Sequence, residues 1–466
     1  MKNSKSGKAE DGKLMNVCRD AASRIGRHRV DEFEIFSASS VATEIEIFNG
    51  RVETLSFSDS AGIGIRIFKD RSIGYAYTAV LDRESIEDCI EKAVSNSSIT
   101  GKEEYNYLPR AEDFRFTQKL IDDRTLFKED LLGFDTRSKI ALAKKLEKMT
   151  KSKDKRIVSI NNVTYSDGIY ETAILNSAGF SDKYRSTSCF IYAAAIARQN
   201  KDTSTGDFFD CGRSPSDMDL EKVAQNAARR SVSLLGGRKV KSGRVDLLLD
   251  AVVSSQFLGI IAVSLNADSV QKGKSLFKGR IGQKIFSVDV DIFDDGTLPD
   301  GLASKPFDGE GVTKGKTHVF ENGYLKTYLY NTYTARKDKT LSTGNAARAS
   351  YRSTPEVGTS NFYLSPSDTG FESLLAGIDR GFYVMDIIGL HSGVNPISGQ
   401  ISVGAKGMWI EKGCLKHPVK EVTIATDILS FCRSIKRVGK DLLFIPLGGY
   451  IGSPSVVVSD IMVSGM

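Results

Sequence analysis

The run Glu44-Ile45-Glu46-Ile47 alternates polar and apolar side chains and is followed at once by Asn49-Gly50, a pairing that constrains the fold more than any other feature of the chain. A period of two turns one face of a strand toward a core. Asn-Gly supplies the two positive-φ residues of a type I′ hairpin turn. The return strand runs through Val52 and Leu55. Gly62-Ile63-Gly64-Ile65-Arg66-Ile67 alternates again, and its glycines point to close backbone approach or a bulge. After a turn at 69–72, Ile73 to Tyr77 reads as its partner. A meander is therefore expected, flanked by two helices. The first spans 14–30, with Leu14, Val17, Cys18, Ala21, Ala22 and Ile25 on one face. The second is capped by Asp82 and carries Ile86, Cys89, Ile90, Ala93 and Val94.

Residues 99–115 are polar and irregular and include Pro109, which places a boundary there. A helix follows at 136–150, then a meander from Ile157 to Cys211 with turns expected at Asp167-Gly168 and at 176–179. Cys189 to Ile196 is apolar at nearly every residue, as in a strand buried on both faces or a helix segment; its flanks favour the strand. Asp217 to Leu235 is the clearest helix, stopped by Gly236-Gly237. From Gly243 onward the pattern is mainly β. Val245 to Leu249 and Val456 to Val463 are strands, a hairpin spans His318 to Leu329, and short helices are expected near 251–265, 368–379 and 426–436. Many of the chain's 42 glycines lie there, which suits a closed or strongly curved sheet. The fold class is α+β: an N-terminal α/β region with β-meanders and flanking helices, then a mainly-β C-terminal domain with a barrel-like sheet. The expected divisions are a disordered tail at 1–13, an N-terminal domain at 14–105, a middle domain at 106–238 and a C-terminal domain at 239–466.

Composition narrows the function. Of 466 residues, 40% are hydrophobic and 26% charged, the balance of a globular chain. No apolar run approaches the roughly 18 residues a membrane helix needs, and the Lys-rich start has no apolar segment behind it to make a secretory signal. A cytoplasmic location is the expectation. The six cysteines form no C-x-x-C pair and read as buried or free thiols. The net charge of +6 is not gathered into the dense basic stripe of a nucleic-acid binder, so no nucleic-acid partner is expected.

Tested motifs mostly fail. A hydrolytic zinc site needs three ligands, often with a glutamate as base. The four histidines are His28, His318, His391 and His417; none precedes Glu and no two share a helical turn. Cys414-Leu-Lys-His417 has ligand spacing but supplies two ligands, as an ordinary strand pair would. Gly311 to Thr317 is one residue short of a P-loop and runs into a strand. There is no G-x-G-x-x-G and no G-x-S-x-G. The loop Gly389 to Gly399 packs His391, Asn395, Pro396, two serines and three glycines between strands. Such loops line sites, but turn chemistry explains the same composition.

Several segments together resemble one family. Asp294-Asp295-Gly296-Thr297-Leu298-Pro299, Glu321 to Lys326, Ser342 to Ala346, Gly381 to Val384 and Gly404 to Glu411 resemble, in order, motifs of the TldD/PmbA family, also called the modulator of DNA gyrase family. The meander from Glu44 to Tyr77 fits too, so the resemblance spans about 14–466. It implies a paired-subunit peptidase. The TldD type carries H-E-x-x-x-H on a helix and a further cysteine ligand near the C-terminus. The TldE, or PmbA, type shares the fold without the zinc ligands and completes a chamber for unfolded or leader peptides. By this resemblance the element Ala267 to Ser275 follows the zinc helix, which places the first His at Leu258, the Glu at Gly259 and the second His at Val263. The region expected to hold the cysteine reads Leu447 to Pro454.

The resemblance thus implies a TldE/PmbA-like subunit with no catalytic residues and no metal of its own, zinc being expected in a TldD-type partner. His391, in a loop similar to the PmbA type, and Asn395 are the candidate substrate contacts. The expected partners are a TldD-type paralogue in a heterodimer, or a second copy in a homodimer, and an unfolded peptide. The alternatives are a stand-alone homodimeric peptide-binding protein and a hydrolase with a different, unrecognised site.

Overall fold

A computed structural model describes residues 12–118 and 121–465. The tail expected at 1–13 lies almost wholly outside the described residues. The first sheet has the strand order β3-β2-β1-β4-β5-β6. Its strands are β1 (Glu32–Phe48), β2 (Arg51–Lys69), β3 (Ser72–Thr78), β4 (Ile157–Asn176), β5 (Ser181–Gln199) and β6 (Asp202–Gly212). All neighbours are antiparallel. The β1–β2 turn has Asn49 at φ 49° and Gly50 at φ 71°, as a type I′ turn requires. β1 pairs with β4 from Glu34↔Asn176 to Ile47↔Val163, so strands of the segments 14–105 and 106–238 share one sheet.

Strand alternation gives this sheet two different faces. Ile35, Ile45, Ile47, Ile63 and Ile65 point one way and are fully buried. Four helices cover that face: α1 (Lys13–Ile25), α2 (Arg83–Ser97), α3 (Thr136–Ser152) and α4 (Leu220–Ser233). Asp82, Asp135 and Asp219 cap the last three by accepting the backbone N–H of Ser85, Ser138 and Lys222, each contributing about 1 kcal/mol. The opposite face carries Glu34, Phe36, Ala38, Ser40, Ser60 and Gly62 and turns toward the C-terminal region.

Two local expectations change. Asp167-Gly168 is not a turn: β4 runs through it unbroken. Asp167 accepts an ion pair from Lys139 at 2.7 Å. The missing side chain at 168 makes room for the Tyr170 ring, since a Cβ there would lie 2.3 Å from its hydroxyl. The helix expected from Asp217 starts at Leu220, because Asp217 instead closes a 3-10 turn by accepting the N–H groups of Arg213 and Ser214. Cys189 to Ile196 lies in β5, as its flanks suggest.

The C-terminal region holds a closed five-stranded barrel. Its strands are β7 (Gly243–Leu249), β8 (Arg380–Ile388), β9 (Gln400–Glu411), β10 (Cys414–Asp427) and β11 (Val456–Ser464), in the order β10-β9-β8-β7-β11. Pairing of Thr423 with Ser464 and of Ala425 with Met462 closes it, which leaves no open edge there. A second six-stranded sheet includes 292–295, 316–321, 361–364, 443–446 and 450–453. Helix α5 (Ala251–Ser264) packs between barrel and second sheet and is apolar nearly all round, as a helix buried on several sides must be. No helix among the described residues is long and apolar enough to cross a membrane.

Candidate functional site

The serine-lined face of the first sheet and the loops of the C-terminal region enclose a cavity of about 550 Å³, within the size range of ligand pockets. Ala38, Ser40, Ser60, Ser186 and Ser188 form its floor. Its far wall comes from 302–314, 345–351 and 358–360, with Tyr450 beside them. Tyr170 lies between Ser40 and Ser186 on the same face, its ring laid over Gly168.

Behind that wall lies a buried charged network built by the family-like motifs. Lys314, inside the stretch that fails as a P-loop, donates its Nζ to the Gly344 carbonyl at 2.7 Å. Its stem fills the space left by Gly296: a Cβ there would lie 2.5 Å from Lys314 Cε. Asp294 accepts from Asn345 Nδ2 at 2.8 Å and from the Ser360 N–H at 2.7 Å. Asp308 accepts the N–H groups of Glu310, Val312 and Ala346. Burial pushes the Asp308 carboxyl up to about 7, with the Glu310 charge adding to the shift and Lys314 opposing it. Burial also raises Asp294 and lowers Lys314. The Asp-Asp-Gly and Thr-Gly-Asn motifs thus seat one buried cation beside the cavity. Sequence reasoning missed Lys314, because its partners come from three separate segments. The available signal was the Asp294-Asp295 pair running directly into Gly296.

Next to this network, two glutamates and two arginines lock the first sheet to the C-terminal region. Glu34 takes Arg66 through one oxygen at 2.8 Å and Arg348 through the other. Glu310 takes Arg66 at 3.3 Å and also the Thr332 N–H. All four side chains are buried.

The positions resembling a lost zinc motif lie together on α5. Asp250 caps this helix through the Val252 N–H, and the same carboxylate holds Arg230 and the Tyr383 hydroxyl, which fixes the helix to α4 and β8. Leu258 is buried in the core, whereas Val263 is 61% exposed. Gly259 faces the segment Leu447 to Pro454: a Cβ added there would come within 2.8 Å of Leu447 Cδ2. Ser254 and Ser453 share a hydrogen bond at 2.7 Å. The fold therefore brings together the two segments that the resemblance linked to zinc. Their side chains do not fit a metal ion. Leu258, Val263 and Leu447 carry no lone pair, and Gly259 offers no base. Among the described residues no three His, Cys, Asp or Glu side chains gather as a metal would need.

His391 and Asn395 sit elsewhere, exposed on the loop between β8 and β9 and not on the cavity wall. Asn395 Oδ1 accepts the N–H groups of Ile397 and Ser398, which is turn chemistry. Cys414 is exposed at the start of β10, and His417 stacks on Trp409.

Comparison with known proteins fits this architecture. Three consecutive family models match: PmbA/TldA metallopeptidase domain 1 over 33–97, the central domain over 129–235 and the C-terminal domain over 242–465. A metalloprotease PmbA homolog of Buchnera aphidicola is 28% identical over 98% of each chain. The metalloprotease PmbA of Escherichia coli O157:H7 is 26% identical over 92% of each. A Thermotoga maritima crystal structure, named for modulation of a DNA gyrase, superposes with a TM-score of 0.85 at 29% identity, covering 96% of this chain and 99% of that one. TldE of Thermococcus kodakarensis, at 22% identity, shares the fold with a TM-score of 0.85 over 97% of this chain and 99% of its own. The chain belongs to the PmbA/TldD metallopeptidase family.

Proposed function

We propose that this chain is the non-catalytic, TldE-like subunit of a two-subunit metallopeptidase and helps to hold an extended peptide for a zinc-bearing partner. The observation that carries this reading is α5: the helix is capped, packed and placed beside 447–454, yet it presents Leu258, Gly259 and Val263 where the resemblance puts ligands and base. Zinc is accordingly assigned to the partner. The cavity supports the peptide-holding role. β3 pairs with β2 only from Ile63 to Lys69, so residues 51–62 of β2 have β1 on one side and no strand on the other among the described residues. An open edge takes an extended chain of any sequence through backbone hydrogen bonds. Ser60, on that edge, also lines the cavity, so an added strand would lead into it.

The test mixes the purified chain with a paralogue from the same genome that carries H-E-x-x-x-H, and follows cleavage of an unfolded peptide. Cleavage is expected from the mixture, at a rate above that of the paralogue by itself. A rate unchanged by adding this chain would rule the subunit role out. Self-association with no heterodimer on mixing would favour the homodimeric alternative.

A further inference from the structure

Arg213 follows β6 and lines the cavity, yet it is only 2% exposed. Its guanidinium donates to four carbonyls, those of Leu126, Thr187, Gly301 and Ser304. Its Nε has no hydrogen-bond partner, and no carboxylate forms an ion pair with it among the described residues. Carbonyl dipoles satisfy N–H groups but do not cancel a charge. Burial works against the charged form of Arg213, and the nearby carboxylates of Asp300 and Asp217 oppose it without forming an ion pair to the guanidinium. The residue after one of those carbonyls is Lys305. Its side chain is exposed on the cavity wall and also makes no ion pair among the described residues. Lys314 stands on the same wall.

The acidic side chains on the lining are Glu171 and Asp308. Asp308 spends both oxygens on three backbone N–H groups and faces Lys314. Arg348, the fourth cation of the lining, is matched by Glu34. Arg213 is a buried positive charge and Lys305 an exposed one, and both line the cavity together with Ser186 and Ser188.

We infer that the cavity is a subsite for a carboxylate of the bound peptide, contacted by Lys305 and drawn by the buried charge of Arg213. This rests on the peptide-holding role proposed above. The carboxylate has two sources, the peptide's C-terminus or an acidic side chain, and the chemistry at the wall is the same for both.

Calorimetry separates them. Three synthetic Ser/Ala peptides are titrated into the full chain paired with its metal-stripped TldD-type partner: a free acid, its C-terminal amide, and the amide carrying one internal Glu. A charge-assisted contact should make one of the anionic peptides bind about tenfold tighter than the neutral amide. Preference for the free acid identifies the C-terminus, and preference for the Glu peptide identifies a side chain. Lys305→Gln is the informative variant, because Lys305 is exposed and supports no other contact, whereas Arg213 holds four carbonyls. It should remove most of the preference while leaving the neutral peptide's affinity unchanged. Equal binding of all three peptides, or a preference that survives Lys305→Gln, overturns the inference and leaves the peptide-holding role standing. No binding of any peptide overturns both.

Discussion

Replacing Arg348 by alanine is expected to cost about 3–5 kcal/mol of unfolding free energy, the range for breaking a buried ion pair from one side. The Arg348 side chain is buried and gives one bond to Glu34, one to the Gly309 carbonyl at 2.7 Å and one to the Ser353 carbonyl at 3.0 Å. Without it, Glu34 keeps a single cation, Arg66, which it shares with Glu310. Two carboxylates then compete for one guanidinium in a site that excludes water. The pair joins β1 to the 345–351 wall of the cavity, so the loss should also loosen that wall. Chemical denaturation measures the effect. The double variant Glu34→Gln with Arg348→Met removes both charges and should cost less than Arg348→Ala alone, because no uncompensated charge remains. A cost below about 1 kcal/mol for Arg348→Ala would mean that water reaches the cluster.

The second large effect lies in the barrel. A Cβ at Gly407 would sit 1.8 Å from the Tyr383 carbonyl oxygen of β8, where the β8–β9 register shifts between Val384 and Asp386. The contact is with backbone, so no side chain can rotate away. The barrel is closed, so β9 cannot move out without breaking its pairing with β10. Gly407→Ala should therefore destabilise by about 3 kcal/mol or more, the upper range for overpacking. Gly404→Ala on the same strand is the control. Its nearest neighbours would be Ile388 atoms at 3.5 Å, an ordinary contact, and its cost should stay within about 1 kcal/mol. Thermal unfolding of the two variants side by side distinguishes a packing requirement from a general loss of glycine in the barrel.

These two effects show which parts of the molecule a sequence can reveal. The β1–β2 hairpin was legible because its determinants are local: alternation on both strands and Asn49-Gly50 between them. The cap at Asp82 was local as well, whereas the helix expected from Asp217 starts three residues later, with Asp219 as its cap. Gly168 was misread, since its reason is the ring of Tyr170 and not a turn. The shared sheet was not legible either. Pairing of β1 with β4 joins residues more than a hundred positions apart, and nothing in the polar stretch between them reports it. The glycine-rich C-terminal region was correctly expected to curve, because crowding at a closed barrel demands small residues, but which strands close it is a long-range matter. The cavity was invisible for the same reason. Its wall is assembled from Lys305, Asp308, Lys314 and Asn345, which meet only in the fold. The resemblance of residues 258, 259 and 263 to a zinc motif could be read in one dimension, whereas their meeting with Leu447 required three.

We propose α5 as a metallopeptidase scaffold without metallopeptidase chemistry. Zinc content of the purified chain, measured by elemental analysis after zinc loading and gel filtration and beside its complex with a H-E-x-x-x-H paralogue, tests it most directly. No stoichiometric zinc is expected in the isolated chain, one zinc per heterodimer, and no peptidase activity from the isolated chain. One tightly held zinc in the chain by itself, together with peptide cleavage that a chelator abolishes, would contradict it.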